Sequence, residues 1–144
     1  MRGLRDEEEG STLLLTIFYG FLSLVLVLLV VAASSLYLER KRLFTLADGA
    51  ALVGAEAFDL STVTVTPTGP RPILESVDVA AAVNAYVAST PSRFESLAIV
   101  RAETVDGRSA TVTLSAFWRP PIVSLLVPEG IPIEVTAVAR SVFE

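Results

Sequence analysis

Between residues 10 and 38 the sequence "GSTLLLTIFYGFLSLVLVLLVVAASSLYL" carries no charge, and its middle is almost entirely Leu, Val, Ile and Phe. An uncharged apolar run longer than about 18 residues predicts a membrane-spanning helix. At about 1.5 Å per residue the run extends roughly 43 Å, more than the roughly 30 Å of a hydrocarbon core. Its Ser, Thr and Tyr ends are therefore expected in the interface, or the helix tilts. Tyr37 suits an interfacial anchor, and Glu39-Arg40-Lys41-Arg42 closes the run with a charge cluster. A cleaved secretory signal has an apolar core of only about 7–15 residues. "AASS" at residues 32–35 imitates a cleavage site, but the length favours a retained anchor.

Past the charge cluster the pattern turns to small residues, "RLFTLADGAALVGAEAF" over residues 42–58. Gly49 and Gly54 each cost about 1 kcal/mol relative to Ala and do not stop a helix. One rod is expected to run from the membrane into water. Leu43, Leu46 or Ala47, Ala50, Gly54 and Ala57 recur at steps of three or four and form a stripe. Ala47 with Ala51, and Ala50 with Gly54, are pairs that let another segment approach backbone to backbone. The expected packing interface is Leu43, Ala47, Asp48, Ala50, Ala51 and Gly54. Two occupants fit it: a helix of another subunit, or the chain's own C-terminal region. Asp48 lies one position off the stripe, either solvated or paired with Arg40 or Arg42 of a neighbouring copy to fix register.

Residues 59–144 shift toward Val, Thr, Ser and Pro. "STVTVT" at 61–66 alternates as a strand and meets the turn-forming "PTGPRP". "ESVDVAAAVNAYVAST" reads as a helix with Ser76 as N-cap, with Val79, Val83 and Tyr86 or Val87 on one face and Pro91 beyond its end. Two β-rich runs joined at Asp106-Gly107 predict a two-residue hairpin. In the second run Ala110, Val112, Leu114, Ala116 and Trp118 alternate with Ser109, Thr111, Thr113 and Ser115. A last strand over 131–143 alternates Ile133, Val135, Ala137 and Ala139 with Glu134, Thr136, Val138 and Arg140. The expected fold is α+β: a long N-terminal transmembrane helix extended by the small-residue helix, then a small, mostly antiparallel sheet with one packed helix. The chain divides into a charged leader or cytoplasmic tail (1–10), the helix and its extension (11–58) and an α+β domain (59–144) of about 86 residues, large enough to fold alone but marginally. Within it "PPIVSLLVPEGIP" places Ile122, Val123, Leu125, Leu126 and Val127 together, as a loop folded back on the domain or as a partner-binding patch.

Composition narrows the chemistry. The 144 residues include no Cys and no His, which removes disulfides, thiolate sites, the usual zinc ligand and the usual general base. A net charge of −5 with no dense basic patch argues against nucleic acid. Lys41, the sole lysine, abuts the membrane, and Glu95, Glu103, Asp106, Glu129 and Glu134 are scattered near turns and strand ends. No catalytic, cofactor-binding or metal-binding residues are expected, no small-molecule substrate, and no enzyme activity.

"DEEEGS", an uncharged span and then "YLERKRLFTLADGAALVGA" resemble the N-terminal region of the TadE/TadG-like family, pilin-like proteins of tight-adherence (Flp-type) pilus systems. That family has an acidic residue before Gly-Ser, an apolar span, an Arg-rich segment and an "AADAAALAGA" stretch. Residues 46–55 correspond to that stretch, with Leu46 and Gly49 in place of its usual alanines. The resemblance covers residues 6–58. It implies a minor pilin or assembly factor with other pilin-like subunits, the assembly machinery and the membrane as partners. It also implies an extracytoplasmic C-terminal domain, although Arg2 and Arg5 before the span against Arg40, Lys41 and Arg42 after it slightly favour the reverse orientation. Gly10-Ser11 takes the position of a prepilin-peptidase site, while Leu15, fifth after it, departs from the Glu of true pilins. The alternative function is a membrane-anchored extracytoplasmic binding or adhesion module.

Overall fold

The computed structural model describes residues 3–58, 63–67, 69–71, 73–120 and 129–140. A single α-helix, α1 (Gly3–Ala55, 53 residues), runs without interruption from the charged N-terminal segment through the apolar run and the small-residue stretch. It is about 80 Å long at 1.5 Å per residue. Two short strands, β1 (Thr64–Thr66) and β2 (Gly69–Arg71), pair antiparallel with each other. Then follow α2 (Ser76–Ser89) and the strands β3 (Glu95–Thr104), β4 (Ser109–Trp118) and β5 (Ile131–Arg140). The last three form an antiparallel sheet in chain order, β3-β4-β5.

Alternation decides which face of that sheet is covered. On β4 the side chains of Ala110, Val112, Leu114, Ala116 and Trp118 are buried. On β5, Ile133, Val135, Ala137 and Ala139 are buried, whereas Glu134, Thr136, Val138 and Arg140 are exposed. Register sets these rows opposite each other, Ala110 to Ala139, Val112 to Ala137, Leu114 to Val135 and Ala116 to Ile133. Helix α1 lies over β4 and β5, and α2 lies over β3 and against α1. Thr113 and Thr136, opposite each other, join hydroxyls at 2.9 Å.

Three local expectations are corrected. The strand at 61–66 is described only as β1, and it pairs with β2 instead of joining the sheet, because the expected turn "PTGPRP" itself supplies the return strand. Ser76 is the first residue of α2 and does not cap it. Glu75 holds the extended cap position without a side-chain cap bond, and the Ser76 hydroxyl instead accepts from the Thr104 amide and donates to the Thr104 carbonyl, both at 3.2 Å, fastening α2 to the end of β3.

The hairpin connection is also longer than two residues, since 105–108 lie between β3 and β4. Asp106 organises it. Its Oδ1 accepts from the amides of Arg108 at 2.9 Å and Ser109 at 2.7 Å, and its Oδ2 accepts from the Ser109 hydroxyl at 3.0 Å. Gly107 takes the left-handed φ of 66° that the turn needs. The amides of Arg108 and Ser109 hold the Asp106 carboxyl below its ordinary value of 3.8. A carboxyl with a lowered folded-state pKa contributes stability above its unfolded value and loses it as pH falls through the folded one. Exchange protection of the Arg108 and Ser109 amides is therefore expected to be constant at neutral pH and to fall only on acidification below about pH 4. Asp106→Asn should flatten that dependence.

Candidate functional site: the two faces of α1

Beyond the apolar run, α1 has one face for its own domain. Leu43, Leu46, Ala47, Ala50, Ala51 and Ala55 are buried, at the i, i+3, i+4, i+7, i+8 and i+12 spacing of an amphipathic helix, with Gly54 buried among them. Their occupant is intramolecular: they form one core with the inner rows of β4 and β5 and with Val79 and Val83 of α2. The stripe is small where the elements come closest. A Cβ at Gly54 would stand 3.2 Å from Ala110 Cβ and Val79 Cγ1 and 3.3 Å from Val83 Cγ2. Of the expected interface residues, Leu43, Ala47, Ala50, Ala51 and Gly54 are thus already filled by the chain itself. Asp48 alone points away, exposed, with no ion-pair partner among the described residues. Ala57 lies past the helix end and is half-buried.

The division at residue 58 accordingly passes through a shared core. At the other end of the sheet, Trp118 Nε1 donates to Ser35 Oγ at 3.3 Å, and Ala32 and Leu36 pack against the core. The lengths agree. From Ser35 to Gly54 α1 rises about 28 Å, and from Ala110 to Trp118 β4 spans about 27 Å, so strand and helix lie alongside over the same stretch.

The opposite face of α1 is uncovered. Among residues 12–31 every side chain is exposed or at most partly shielded, including Leu13, Leu14, Ile17, Phe21, Leu26 and Leu29. In the charged segment Arg42 and Glu39 pair at 3.5 Å within the helix. Starting within it, Arg40, Phe44, Asp48 and Leu52 are all exposed and follow one another at four-residue steps. This ridge escaped the sequence reading because period alone does not say which of two apolar stripes the chain will cover with its own domain.

Gly10 and Ser11 fall within α1, and Ile122, Val123, Leu125, Leu126 and Val127 lie outside the described residues. The strand residues that flank that last segment, Trp118 and Ile131, are opposite each other at the end of the sheet next to Ser35. Two of the scattered carboxylates are in ion pairs, Glu95 with Arg119 at 2.8 Å and Glu103 with Arg101 at 3.5 Å. No group of three or more acidic side chains among the described residues could hold a metal ion.

A helix long and apolar enough to cross a membrane, continuous with a small α+β domain that packs on its far half, defines a protein of single-pass, pilin-like architecture. Residues 10–57 match the model of the Flp pilus-assembly TadE/G-like family. Over that segment the chain is similar to the TadE/G-like domain, which supports a role related to Flp (tight-adherence) pilus assembly. No curated protein and no solved structure matches the chain significantly.

Proposed function

We propose that the chain is a minor pilin or assembly factor of a tight-adherence type IV pilus system, working mechanically and not as an enzyme. Its domain lies outside the cytoplasm, and its long helix packs beside those of other pilin-like subunits in the membrane or filament. The observation that supports this best is the uncovered ridge of α1. An apolar face continues from residues 12–31 past the membrane to Phe44 and Leu52, while the other face is filled by the chain's own sheet. A tethered binding module needs only an anchor, and its helix has no use for exposed Phe44 and Leu52 beyond the bilayer. Subunit contacts on this reading use the outer ridge, where Asp48 meets a cation such as Arg40 of a neighbour, and leave the small-residue stripe inside the subunit.

The chain has no cysteine, so single-cysteine variants report without background. Cysteine at position 44, 48 or 52 is expected to cross-link to pilin-like subunits in cells with an active pilus apparatus, and cysteine at 47 or 50 is not. Absence of any product from the ridge positions in such cells would contradict the proposal. Cleavage between Gly10 and Ser11 assigns the subunit to the filament, and retention of residues 1–10 assigns it to the membrane base. The N-terminal mass with and without an active prepilin peptidase separates these two roles.

A further inference from the structure

We propose that the membrane-proximal end of the domain is a binding surface for the anionic phospholipid headgroups of the bilayer that α1 crosses. This rests on the reading that α1 spans the membrane, and begins from depth. About 20 residues of helix fill a hydrocarbon core of roughly 30 Å, and residues 12–31 supply them. From Ala32 the helix is in contact with the domain core, and at Ser35 it receives the Trp118 bond. The Arg119–Glu95 ion pair, half-exposed, stands at the same end of the sheet. A solvated ion pair does not sit in hydrocarbon, so this end of the sheet lies in the headgroup layer, about 5–7 Å thick on each side.

Two adjacent cavities lie along this side of the domain, the smaller one at that layer and the larger one beyond it. One of about 500 Å³ lies between α1 and the segment after α2, with Arg42, Thr45, Tyr86, Thr90, Ser92 and Arg93 among its walls. The other, of about 250 Å³, is bounded by Ser35, Glu95, Phe117, Trp118 and Arg119, and the two share Glu39 and Arg93. Guanidinium groups flanked by hydroxyls are the donors that a phosphodiester headgroup takes, and Phe117 offers an exposed ring to the top of an acyl chain. Charge is sorted accordingly. Although the chain as a whole is acidic, this end sets Arg40, Lys41, Arg42, Arg93 and Arg119 against Glu39, Glu95, Glu129 and Glu134 among the described residues. At the far end acids outnumber bases, with Glu56, Glu75, Asp78, Glu103 and Asp106 against Arg101, Arg108 and Arg140.

Trp118 is the chain's only tryptophan and forms a wall of the second cavity, which makes it a built-in probe. The full chain is placed in nanodiscs of equimolar phosphatidylcholine and phosphatidylglycerol, with one or the other lipid brominated near the top of its acyl chains. Each arginine near an anionic surface favours it by about fivefold. Quenching is therefore expected to report a local anionic-to-zwitterionic ratio of about five or more, where random mixing gives about one. Arg93→Gln with Arg119→Gln should return the ratio to near one, Arg93→Lys with Arg119→Lys should keep most of it, and Arg101→Gln with Arg108→Gln at the far end should leave it unchanged. A ratio near one in the native chain overturns the proposal, as does an equal loss from the far-end pair. Absence of quenching by either lipid, with the protein still in the nanodisc, overturns it too, by placing Trp118 away from the bilayer. Failure to enter the nanodisc at all removes the spanning reading, and the surface with it.

Discussion

A fragment comprising residues 59–144 is expected not to fold, whereas one comprising residues 34–144 is expected to fold cooperatively. The reason lies in who covers the sheet. Leu43, Leu46, Ala47, Ala50, Ala51 and Ala55 of α1 form one core with Val112, Leu114, Val135 and Ala137. Removing the helix returns those strand residues to water. Burial of one Val or Leu side chain is worth about 1.5–3 kcal/mol, and a domain's whole stability is about 5–15 kcal/mol, so uncovering several at once exceeds what remains. The longer fragment keeps Ser35 for Trp118 and every buried helix residue of the core, losing only the partly buried Ala32. Near-ultraviolet circular dichroism of Trp118, followed through a urea titration, should show a sigmoidal transition for residues 34–144 and none for residues 59–144. A cooperative transition in the shorter fragment would mean that the sheet and α2 suffice.

Truncating Leu114 to Ala is expected to destabilise the domain by about 2–5 kcal/mol, while Val138→Ala should change stability by no more than about 0.5 kcal/mol. Both substitutions remove methyl groups from neighbouring strands of one sheet, so β propensity cannot separate them. Burial does. Leu114 is fully buried beneath α1, and Val138 is 60% exposed on the outer row of β5. The urea midpoints of the two variants compared with the native chain check this, and similar shifts would show that α1 does not lie on β4 and β5 as described.

The β4 and β5 rows were legible because side-chain period is a strictly local property of a strand: Ala110 through Trp118 and Ile133 through Ala139 fall on the covered face as their alternation implies. The continuity of α1 was legible for the same reason, since no residue between Glu39 and Ala55 breaks a helix. What covers the small-residue stripe was not, because small-xxx-small spacing records a close approach without recording its partner. Ser76 carries the N-cap residue type, and only the tertiary position of Thr104 decides that its hydroxyl is used elsewhere. Asp106-Gly107 marks a turn correctly, but the length of the connection depends on the capping of two amides by Asp106. Bilayer depth was least legible. The uncharged run extends to Leu38, and only the Trp118–Ser35 contact shows that its last residues are clad by protein.

These contacts give the account its central claim: one helix serves as membrane span up to about residue 31 and as domain core from Ala32 onward, with an outer ridge free for other subunits. The most direct measurement is a single-cysteine scan along α1 with a membrane-impermeant maleimide, in intact cells that lack the other pilus subunits and in their lysates. Positions 14–31 are expected to stay unlabelled in both, while 40, 44, 48 and 52 label from outside the intact cell. Labelling of 44, 48 and 52 only after lysis would put the domain in the cytoplasm, and protection of 40 and 44 in both preparations would move the bilayer up over the domain; either result contradicts the account.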